Sequence, residues 1–161
     1  MARKDGGNKS GANLSPRIAN RKALHDYFID AKLECGIVLL GSEVKSLRLG
    51  KAQLQEAFAA VEKGELLLRQ CHIDPYEKAN LMNHEPLRPR RLLAHRSEIE
   101  KLEAATKDRG VTLVPLAMYF KDGRVKVEIA VARGKRHEDK RRSIKEKEMK
   151  KDIRRAMSHR L

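Results

Sequence analysis

The residue pair that suggests acid–base chemistry is His25-Asp26, because an imidazole and a carboxylate can both accept and donate protons. No nucleophile accompanies the pair, and on the β-strand predicted here neighbouring side chains point to opposite faces. His72, His84 and His95 are isolated, and no cysteine spacing suits a metal site. The GxxxxGKS/T, GxGxxG and HExxH motifs are also absent. The sequence therefore predicts recognition rather than catalysis, with no metal and no cofactor.

Positive charge is concentrated at the two ends of the chain. Residues 133–161 carry thirteen lysines and arginines against five acids, and residues 1–22 carry six against one. Of the formal net charge of +14, only +1 remains on residues 23–132. Basic arms bind a polyanion and release its counterions, whereas a solvated charge run would serve solubility alone. The density of the charge favours a nucleic acid as the partner.

Glu34 is the acid best placed for recognition, because it precedes Gly36, where the sequence predicts a bulge or bend. A carboxylate at such a position can accept hydrogen bonds from base edges or ribose hydroxyls of RNA. The alternative is an ordinary solvated strand end. The residues alone leave both interpretations open.

The first half of the chain predicts strands around one short helix. Apolar and polar residues alternate over residues 23–40, which predicts two strands that meet near Gly36. The stretch from Ser42 to Gly50 has the cap and stop residues of a short helix. Lys63-Gly64 predicts the turn of a hairpin, since glycine supplies the positive φ that a tight turn needs.

The second half predicts a loop, a helix and a further hairpin. Residues 74–91 contain three prolines and predict a long loop, which a short strand follows at 92–95. Ser97 begins a predicted helix that extends to about residue 108. Asp122-Gly123 is a preferred two-residue turn and predicts a hairpin between residues 111–120 and 125–132.

These elements predict an all-β or α+β fold, namely a small OB-like antiparallel β-barrel with two or three short helices. A β-sandwich is the alternative. The predicted organisation is a disordered basic N-terminal arm (1–17), the barrel (18–132) and a basic C-terminal tail (133–161). Cys35 and Cys71 lie in apolar, strand-like segments and are expected to be reduced core residues.

The tail has weak helical character. Ser143 and Glu146 have the spacing of a capping box. An apolar stripe recurs at every fourth position and is too narrow to bury much surface unaided: Met149, Ile153, Met157 and Leu161. Because isolated helices of this length are marginal in water, we expect a tail that is disordered when free and helical when bound.

No feature of the sequence indicates a membrane protein. The chain has no run of eighteen or more apolar residues, and its N-terminal residues lack the apolar centre of a secretory signal. We therefore expect a cytoplasmic protein. Nothing indicates an obligate oligomer, so a monomer is expected.

Several motifs, in one collinear order, resemble those of the SmpB family of SsrA-binding proteins. They are residues 20–29 (NRKALHDYFI), 41–48 (GSEVKSLR), 86–93 (PLRPRRLL), 116–127 (LAMYFKDGRVKV), 132–136 (ARGKR) and 139–141 (DKR). The resemblance runs from about Ile18 to the C-terminus. Several long motifs in one order are far more specific than a single short motif.

The resemblance implies an OB-type barrel that binds the tRNA-like domain of tmRNA in the ribosome-rescue pathway of trans-translation. Elongation factor Tu delivers the complex to a ribosome stalled on mRNA without a stop codon. The tail then enters the empty mRNA channel, and the nascent peptide is tagged for proteolysis. The resemblance implies no chemistry by the protein itself.

The resemblance also implies two sets of contact residues. Those that contact tmRNA are Asn20, Lys22, His25, Glu34, Leu93, His95 and Lys126. Those of the ribosome-binding tail are Gly134, Lys135, Arg136, Asp139, Lys140, Arg141, Lys145, Lys147, Lys150, Lys151, Arg154 and Arg155.

One position departs from the family pattern. Many members carry an aromatic residue or histidine directly before the Asp-Lys-Arg triplet, whereas this chain has Glu138 there and His137 one residue earlier. Either His137 takes over the stacking role or stacking is dispensable.

Two other classes of function compete with ribosome rescue. One is a constitutive ribosomal or initiation-type OB protein, which also joins a small barrel to basic arms. The other is an RNA-cleaving or RNA-modifying enzyme, which the lack of a convergent acid–base pair disfavours.

Overall fold

The computed structural model describes residues 15–158. Within this range the chain forms nine strands, four α-helices and one 3₁₀ segment, Glu77–Met82. The strands are β1 (Ile18–Ala19), β2 (Tyr27–Ile37), β3 (Ala52–Gln53), β4 (Phe58–Glu62), β5 (Glu65–Arg69), β6 (His72–Ile73), β7 (Arg90–Leu93), β8 (Val111–Lys121) and β9 (Arg124–Gly134). The helices are α1 (Arg21–Asp26), α2 (Gly41–Arg48), α3 (Arg96–Thr106) and α4 (His137–Ser158). The predicted α+β class is confirmed.

Seven strands form one antiparallel sheet in the order β1-β8-β4-β5-β7-β2-β9. β9, the last strand in this order, also pairs with β8. The pairings that run from β8 through β4, β5, β7 and β2 to β9 therefore return to β8. β3 and β6 form a separate two-stranded ladder. Both predicted hairpins are confirmed, because Lys63-Gly64 and Asp122-Gly123 adopt the positive φ of a two-residue turn.

Apolar side chains cluster on both sides of the β8–β9 ladder. The larger cluster lies inside the sheet and includes Leu113 and Ile129. On the outer side, Ala23 of α1 packs in a smaller cluster with Ala130 and Ala132 of β9. Residues on a strand alternate between its faces, so Lys126, Ala130 and Ala132 of β9 share the outer face. α1 covers this face at Ala130 and Ala132. The other end of that face remains accessible for function.

The segment before β2 is a helix, whereas the sequence predicted a strand. Asn20 caps α1, since its Oδ1 accepts a hydrogen bond from the Ala23 amide at 3.2 Å. β2 is then a single strand of 11 residues rather than two strands that meet at Gly36. A Cβ atom on Gly36 would lie only 3.2 Å from the Cβ of Leu93. The glycine therefore permits a close approach of β7 rather than a bend.

The other two helices predicted within residues 18–132, which we call the body, are confirmed with small shifts. α2 is followed by Gly50, which has the positive φ of 71° expected after a helix end. α3 starts one residue before the predicted cap Ser97, and its first turn is closed by Glu98, whose Oε2 accepts from the His95 amide at 2.8 Å. Both helices therefore begin and end within about two residues of the positions that the sequence predicts.

A buried ion cluster holds the long loop that precedes β7. Glu43 is fully buried and accepts hydrogen bonds from Arg88 Nε at 2.7 Å, Arg90 Nε at 2.8 Å and the Leu40 amide at 2.8 Å. Burial opposes ionisation of Glu43, but these hydrogen bonds outweigh it and hold its pKa below the usual value. Arg90 also donates to the Cys71 carbonyl at 2.6 Å. Glu43 and Arg90 are therefore structural, although both lie in the motifs that resemble the family.

Both cysteines are buried and unpaired, as predicted. Cys35 and Cys71 belong to the main apolar cluster. Burial raises the pKa of each thiol to about 11, so both remain protonated at neutral pH.

The tail contains a helix of 22 residues, α4, which corrects the prediction that the free tail is disordered. Lysine, arginine and glutamate favour helices, and Asp139 Oδ2 accepts from the Arg136 amide at 3.3 Å in the first turn. Ser143 is not a cap, because it lies inside α4 and its Oγ donates to the Asp139 carbonyl at 3.0 Å. No residue of α4 is buried. None of the helices within residues 15–158 is long and apolar enough to cross a membrane.

Candidate nucleic-acid interface

Three of the predicted RNA-contacting residues come together on neighbouring strands. Gly36 of β2 pairs with Leu93 of β7 on one side and with Lys126 of β9 on the other. Glu34 lies two residues before Gly36 and therefore on the same face of the sheet. We call Glu34, Leu93 and Lys126 the strand cluster. The three residues are far apart in the sequence, and only the register of β2, β7 and β9 brings them together.

A groove of about 330 Å³ is lined by Leu93 and Lys126 of the strand cluster. Leu93 covers Gly36 on its floor and is half exposed, while Arg124 and Lys126 contribute positive charge. An apolar floor beside two cations suits a nucleotide, whose base is apolar on its faces and whose phosphate is anionic. Arg124 is a candidate contact that the sequence suggested only as part of a turn.

Two residues of β8 hold the carboxylate of Glu34. The Tyr119 hydroxyl donates to Glu34 Oε2, and Lys121 Nζ donates to Glu34 Oε1 at 3.1 Å. These hydrogen bonds, that of Tyr119 first, hold the pKa of Glu34 below its usual value. The same contact raises the pKa of Tyr119 to about 12. Glu34 is thus a charged acceptor at neutral pH, and sequence reasoning missed both residues that fix it.

His95 lies at the edge of the same region. It follows β7 by two residues and is exposed to solvent at the start of α3. Its backbone amide is engaged by Glu98, so the position of the residue is fixed by the helix that it begins. The structure thus places His95 near Leu93 in the chain, and within the described residues it has no hydrogen bond or ion pair with Glu34 or Lys126.

Lys22 and His25 occupy a second, separate cluster on α1. Lys22 Nζ donates to Glu56 Oε1 at 2.8 Å, and His25 Nδ1 lies 2.9 Å from Asp26 Oδ1. The contact between His25 and Asp26 corrects the prediction that the two side chains diverge, because the pair ends a helix rather than lying on a strand. We call Lys22, His25 and Asp26 the helix cluster.

The two clusters lie at opposite ends of β2. The helix cluster directly precedes Tyr27, whereas the strand cluster lies at Glu34 and Gly36. At about 3.3 Å per residue, the nine residue steps from Tyr27 to Gly36 span about 30 Å. A ligand that contacts both clusters must therefore be a large one.

Asn20 is not available for a direct contact with RNA, which corrects its predicted role. The side chain is 3% exposed, and its Nδ2 donates to the carbonyls of Leu54 at 3.0 Å and Pro115 at 2.9 Å. Its Oδ1 is used by the cap of α1. The amide therefore joins α1 to the sheet and acts on any ligand only through the position of α1.

The start of the tail is attached to the helix cluster. The Lys135 amide donates to the Asp26 carbonyl at 2.8 Å, and Lys135 Nζ lies 5.1 Å from the centroid of the Phe28 ring. Lys140 Nζ lies 3.3 Å from Asp26 Oδ1. Hydrogen bonding to His25, followed by Lys140, lowers the pKa of Asp26. β9 extends to Gly134, so the strand passes the predicted boundary at residue 132.

Beyond this attachment the basic residues of the tail face solvent. At about 1.5 Å per residue, α4 is about 33 Å long. The predicted tail residues that are exposed along it are His137, Arg141, Lys145, Lys147, Lys150, Lys151, Arg154 and Arg155. They form a rod of positive charge with no partner in the body.

Comparison with known proteins gives one family. The family model described as SmpB protein matches residues 17–159. The SsrA-binding protein of Symbiobacterium thermophilum is 51% identical, over 92% of this chain and 95% of its own length. That of Syntrophotalea carbinolica is 53% identical over 88% and 94%, respectively, and that of Geobacillus thermodenitrificans is 53% identical over 88% and 91%.

A solved structure agrees with these sequence matches. A chain of the structure named "tmRNA-SmpB: a journey to the center of the bacterial ribosome" superimposes with a TM-score of 0.66 and is 45% identical. The likeness covers 80% of this chain and 94% of that chain. Because the family model spans both clusters and α4, the chain belongs to the SmpB family.

Proposed function

We propose that this protein is an RNA-binding adaptor of trans-translation. It binds the tRNA-like domain of tmRNA and brings alanyl-tmRNA to ribosomes stalled on mRNA without a stop codon. The stalled peptide is then tagged for proteolysis, and the ribosome is released. The observation that carries this proposal is the likeness, over nearly the whole chain, to SsrA-binding proteins and to a chain of a tmRNA–SmpB structure.

We assign RNA binding to the body. We also assign the fold of the body to the OB-like barrels. The return of the strand pairings from β9 to β8 supports this assignment. The side chains that contact tmRNA are Lys22, His25, Glu34, Leu93, His95 and Lys126. Lysine suits phosphate, histidine and glutamate suit base edges or ribose hydroxyls, and leucine suits a base face. Asn20 contributes by holding α1 in place.

Ribosome binding belongs to α4 and the residues that lead into it. The tail, from Gly134 onward, enters the empty mRNA channel and the decoding centre, both of which are lined with ribosomal RNA. An exposed, highly basic helix about 33 Å long suits such a path. His137 lies at the start of α4 and is exposed, so it is accessible for stacking at the decoding centre.

The remaining features follow from this role. Elongation factor Tu is a partner through alanyl-tmRNA, the protein acts as a monomer, and its place of action is the cytoplasm, where ribosomes translate. It contributes binding and positioning and no chemical step, so it requires no cofactor.

A truncation separates the two parts. We expect a chain that ends at Arg136 to keep its affinity for tmRNA within about twofold and to lose peptide tagging on ribosomes stalled in vitro. The chain is kept through Arg136 so that Lys135, which is bonded to Asp26 and Leu24 of the body, is retained. RNA that copurifies with each version is sequenced, and tagging is measured in a reconstituted translation system.

A matched control tests whether the tail acts through its charge. In the full-length chain, Lys145, Lys147, Lys150 and Lys151 are replaced by glutamine, which keeps the length and the helix-forming tendency. We expect tagging to fall steeply while one abundant tRNA-like RNA still copurifies. A broad RNA mixture that disappears with the tail would contradict the proposal and indicate a nonspecific RNA binder.

A further inference from the structure

Two carboxylates lie side by side on the open face of the sheet. Glu34 of β2 is the direct cross-strand partner of Glu128 of β9. Like charges in such a pair repel each other. Glu128 is neutralised by Arg17 Nη2 at 3.6 Å and Lys32 Nζ at 3.5 Å, which are ion pairs at the edge of contact. The contacts of Glu34 are of a different kind.

Glu34 is held in a defined direction by contacts from beyond its neighbouring strand. Tyr119 and Lys121 lie on β8, and their side chains cross β9 to reach the two oxygens of Glu34. The Tyr119 ring is itself fixed by Arg17, whose guanidinium carbon lies 4.8 Å from the ring centroid. Each carboxylate oxygen accepts one of these hydrogen bonds and keeps further acceptor capacity.

We propose that Tyr119 is a positioning residue that directs the Glu34 carboxylate toward a pair of hydrogen-bond donors on the bound RNA. This inference depends on the proposed function, because it assumes that the strand cluster contacts RNA. Two parallel acceptors match the adjacent N–H groups on the Watson–Crick edge of an unpaired guanine. The same carboxylate repels phosphate, so its direction determines which part of the RNA can approach.

The physical advantage is preorganisation. A free glutamate side chain loses rotamer freedom when it is ordered by a ligand, and this loss weakens binding. The Tyr119 hydroxyl and the Lys121 ammonium order Glu34 before RNA arrives. Tyr119 thus strengthens binding without contacting the RNA.

The test is a double-mutant cycle on the full-length protein, with the tRNA-like domain of tmRNA as the ligand. Glu34→Gln removes the charged acceptor and is expected to weaken binding about tenfold to a hundredfold. Tyr119→Phe keeps the ring that Arg17 contacts and removes only the hydroxyl, and it is expected to weaken binding about fivefold to tenfold. In the double variant, Tyr119→Phe is expected to add no further loss. Tyr76→Phe, the same change at a tyrosine whose ring contacts Lys45 rather than Glu34, is the control and keeps full affinity.

A second measurement follows the carboxylate itself. The titration of the Glu34 carboxyl carbon is recorded by NMR in the free protein, and its midpoint is expected to rise in Tyr119→Phe because a donor is lost. The charged or titratable groups that face Glu34 are Lys121, Lys126, Glu128, Lys32 and Arg17. All five are retained in the variant, so the shift of the midpoint reports the hydroxyl.

The outcomes separate the two proposals. If Glu34→Gln keeps full affinity, the strand cluster does not contact RNA and the proposed function fails at this surface. If Glu34→Gln weakens binding but Tyr119→Phe does not, the positioning role alone is wrong. An equal loss from Tyr119→Phe with and without Glu34 would also overturn it, because Tyr119 would then act independently of the carboxylate.

Discussion

The body and helix α4 both carry many charged residues, but the two regions differ in how these side chains are paired. On the body, the polar side chains have partners at defined distances, such as Lys22 with Glu56 at 2.8 Å and Glu34 with Lys121 at 3.1 Å. Beyond Lys140, the described part of α4 contains no ion pair. The body therefore presents charges in fixed directions, whereas α4 presents charge density.

This difference has a physical origin. Strand register and a buried core fix the backbone under each side chain of the body, so a neighbouring strand can supply a partner. α4 is attached to the body through Lys135, which precedes it, and through Lys140 in its first turn, and its side chains are exposed from residue 144 to residue 158. Fixed directions suit recognition of one RNA shape, while a charged rod suits any polyanionic channel.

The largest effect is expected at the ion cluster inside the body. Glu43→Ala leaves Arg90, which is fully buried, without its counterion, and the loss of one partner of a buried ion pair costs about 3–5 kcal/mol. The matched change Glu148→Ala on exposed α4 is expected to change the free energy of unfolding by less than about 0.5 kcal/mol. Urea unfolding followed by circular dichroism measures both. Equal destabilisation by the two changes would contradict the contrast between a paired body and an unpaired helix.

The sequence predicted the local features of this molecule better than the nonlocal ones. Both hairpins and the helices α2 and α3 were predicted correctly, because turn glycines and capping residues act within a few positions. The strand predicted before β2 was wrong, since the cap that forms α1 uses Asn20, whose amide is also held by Leu54 and Pro115 far along the chain. The sequence of a short segment does not show which distant residues will bond to it.

The candidate site shows the same limit. Glu34 was singled out as a candidate from its residue type and from a bend predicted at Gly36, although β2 continues through that position as one strand. Tyr119 and Lys121 were missed because they reach Glu34 across an intervening strand, from 85 and 87 residues away in the chain. Asn20 was assigned to RNA by the family resemblance, although the side chain is buried and its polar atoms bond to the backbone of the body. Register and burial arise from the complete fold and are not written in any single segment.

A smaller effect is expected in the salt dependence of binding. Each phosphate contact by lysine contributes about 0.7 to the slope of log affinity against log salt for single-stranded RNA. Replacing Lys145, Lys147, Lys150 and Lys151 by glutamine is therefore expected to reduce the slope for ribosome binding by up to about 3. The slope for the isolated tRNA-like RNA is expected to stay the same. Filter binding over a series of salt concentrations measures both slopes.

The corresponding change in the body has the opposite pattern. Lys126→Gln removes one cation from the strand cluster and is expected to reduce the slope for tRNA-like RNA by about 0.7. It leaves the slope contributed by α4 to ribosome binding intact. If the α4 changes reduced both slopes equally, the two regions would share one RNA site, and the division between them would be lost.

The smallest effect is expected where the two regions join. Asp26 belongs to the body, and its Oδ1 lies 3.3 Å from Lys140 of α4. Its pKa is lowered in the folded protein, first by the hydrogen bond with His25 and then by Lys140. A lowered pKa means that this contact contributes stability above the unfolded value of about 3.9 and loses it as pH falls through the folded pKa. Partly exposed ion pairs of this kind contribute about 0.2–1 kcal/mol.

We therefore expect acid to loosen α4 from the body before the body unfolds. Spin labels on cysteines at positions 63 and 150 measure the distance between a body hairpin and α4, since the buried thiols of Cys35 and Cys71 react slowly. The distance distribution is expected to broaden as pH falls through the lowered pKa of Asp26, and Asp26→Asn is expected to broaden it already at neutral pH. Asp30→Asn is the matched control, because Asp30 pairs with Arg133 within the sheet and not with α4. A distribution equally narrow in Asp26→Asn and the unaltered protein would show that Lys135, through its backbone contacts, orients α4 without the carboxylate.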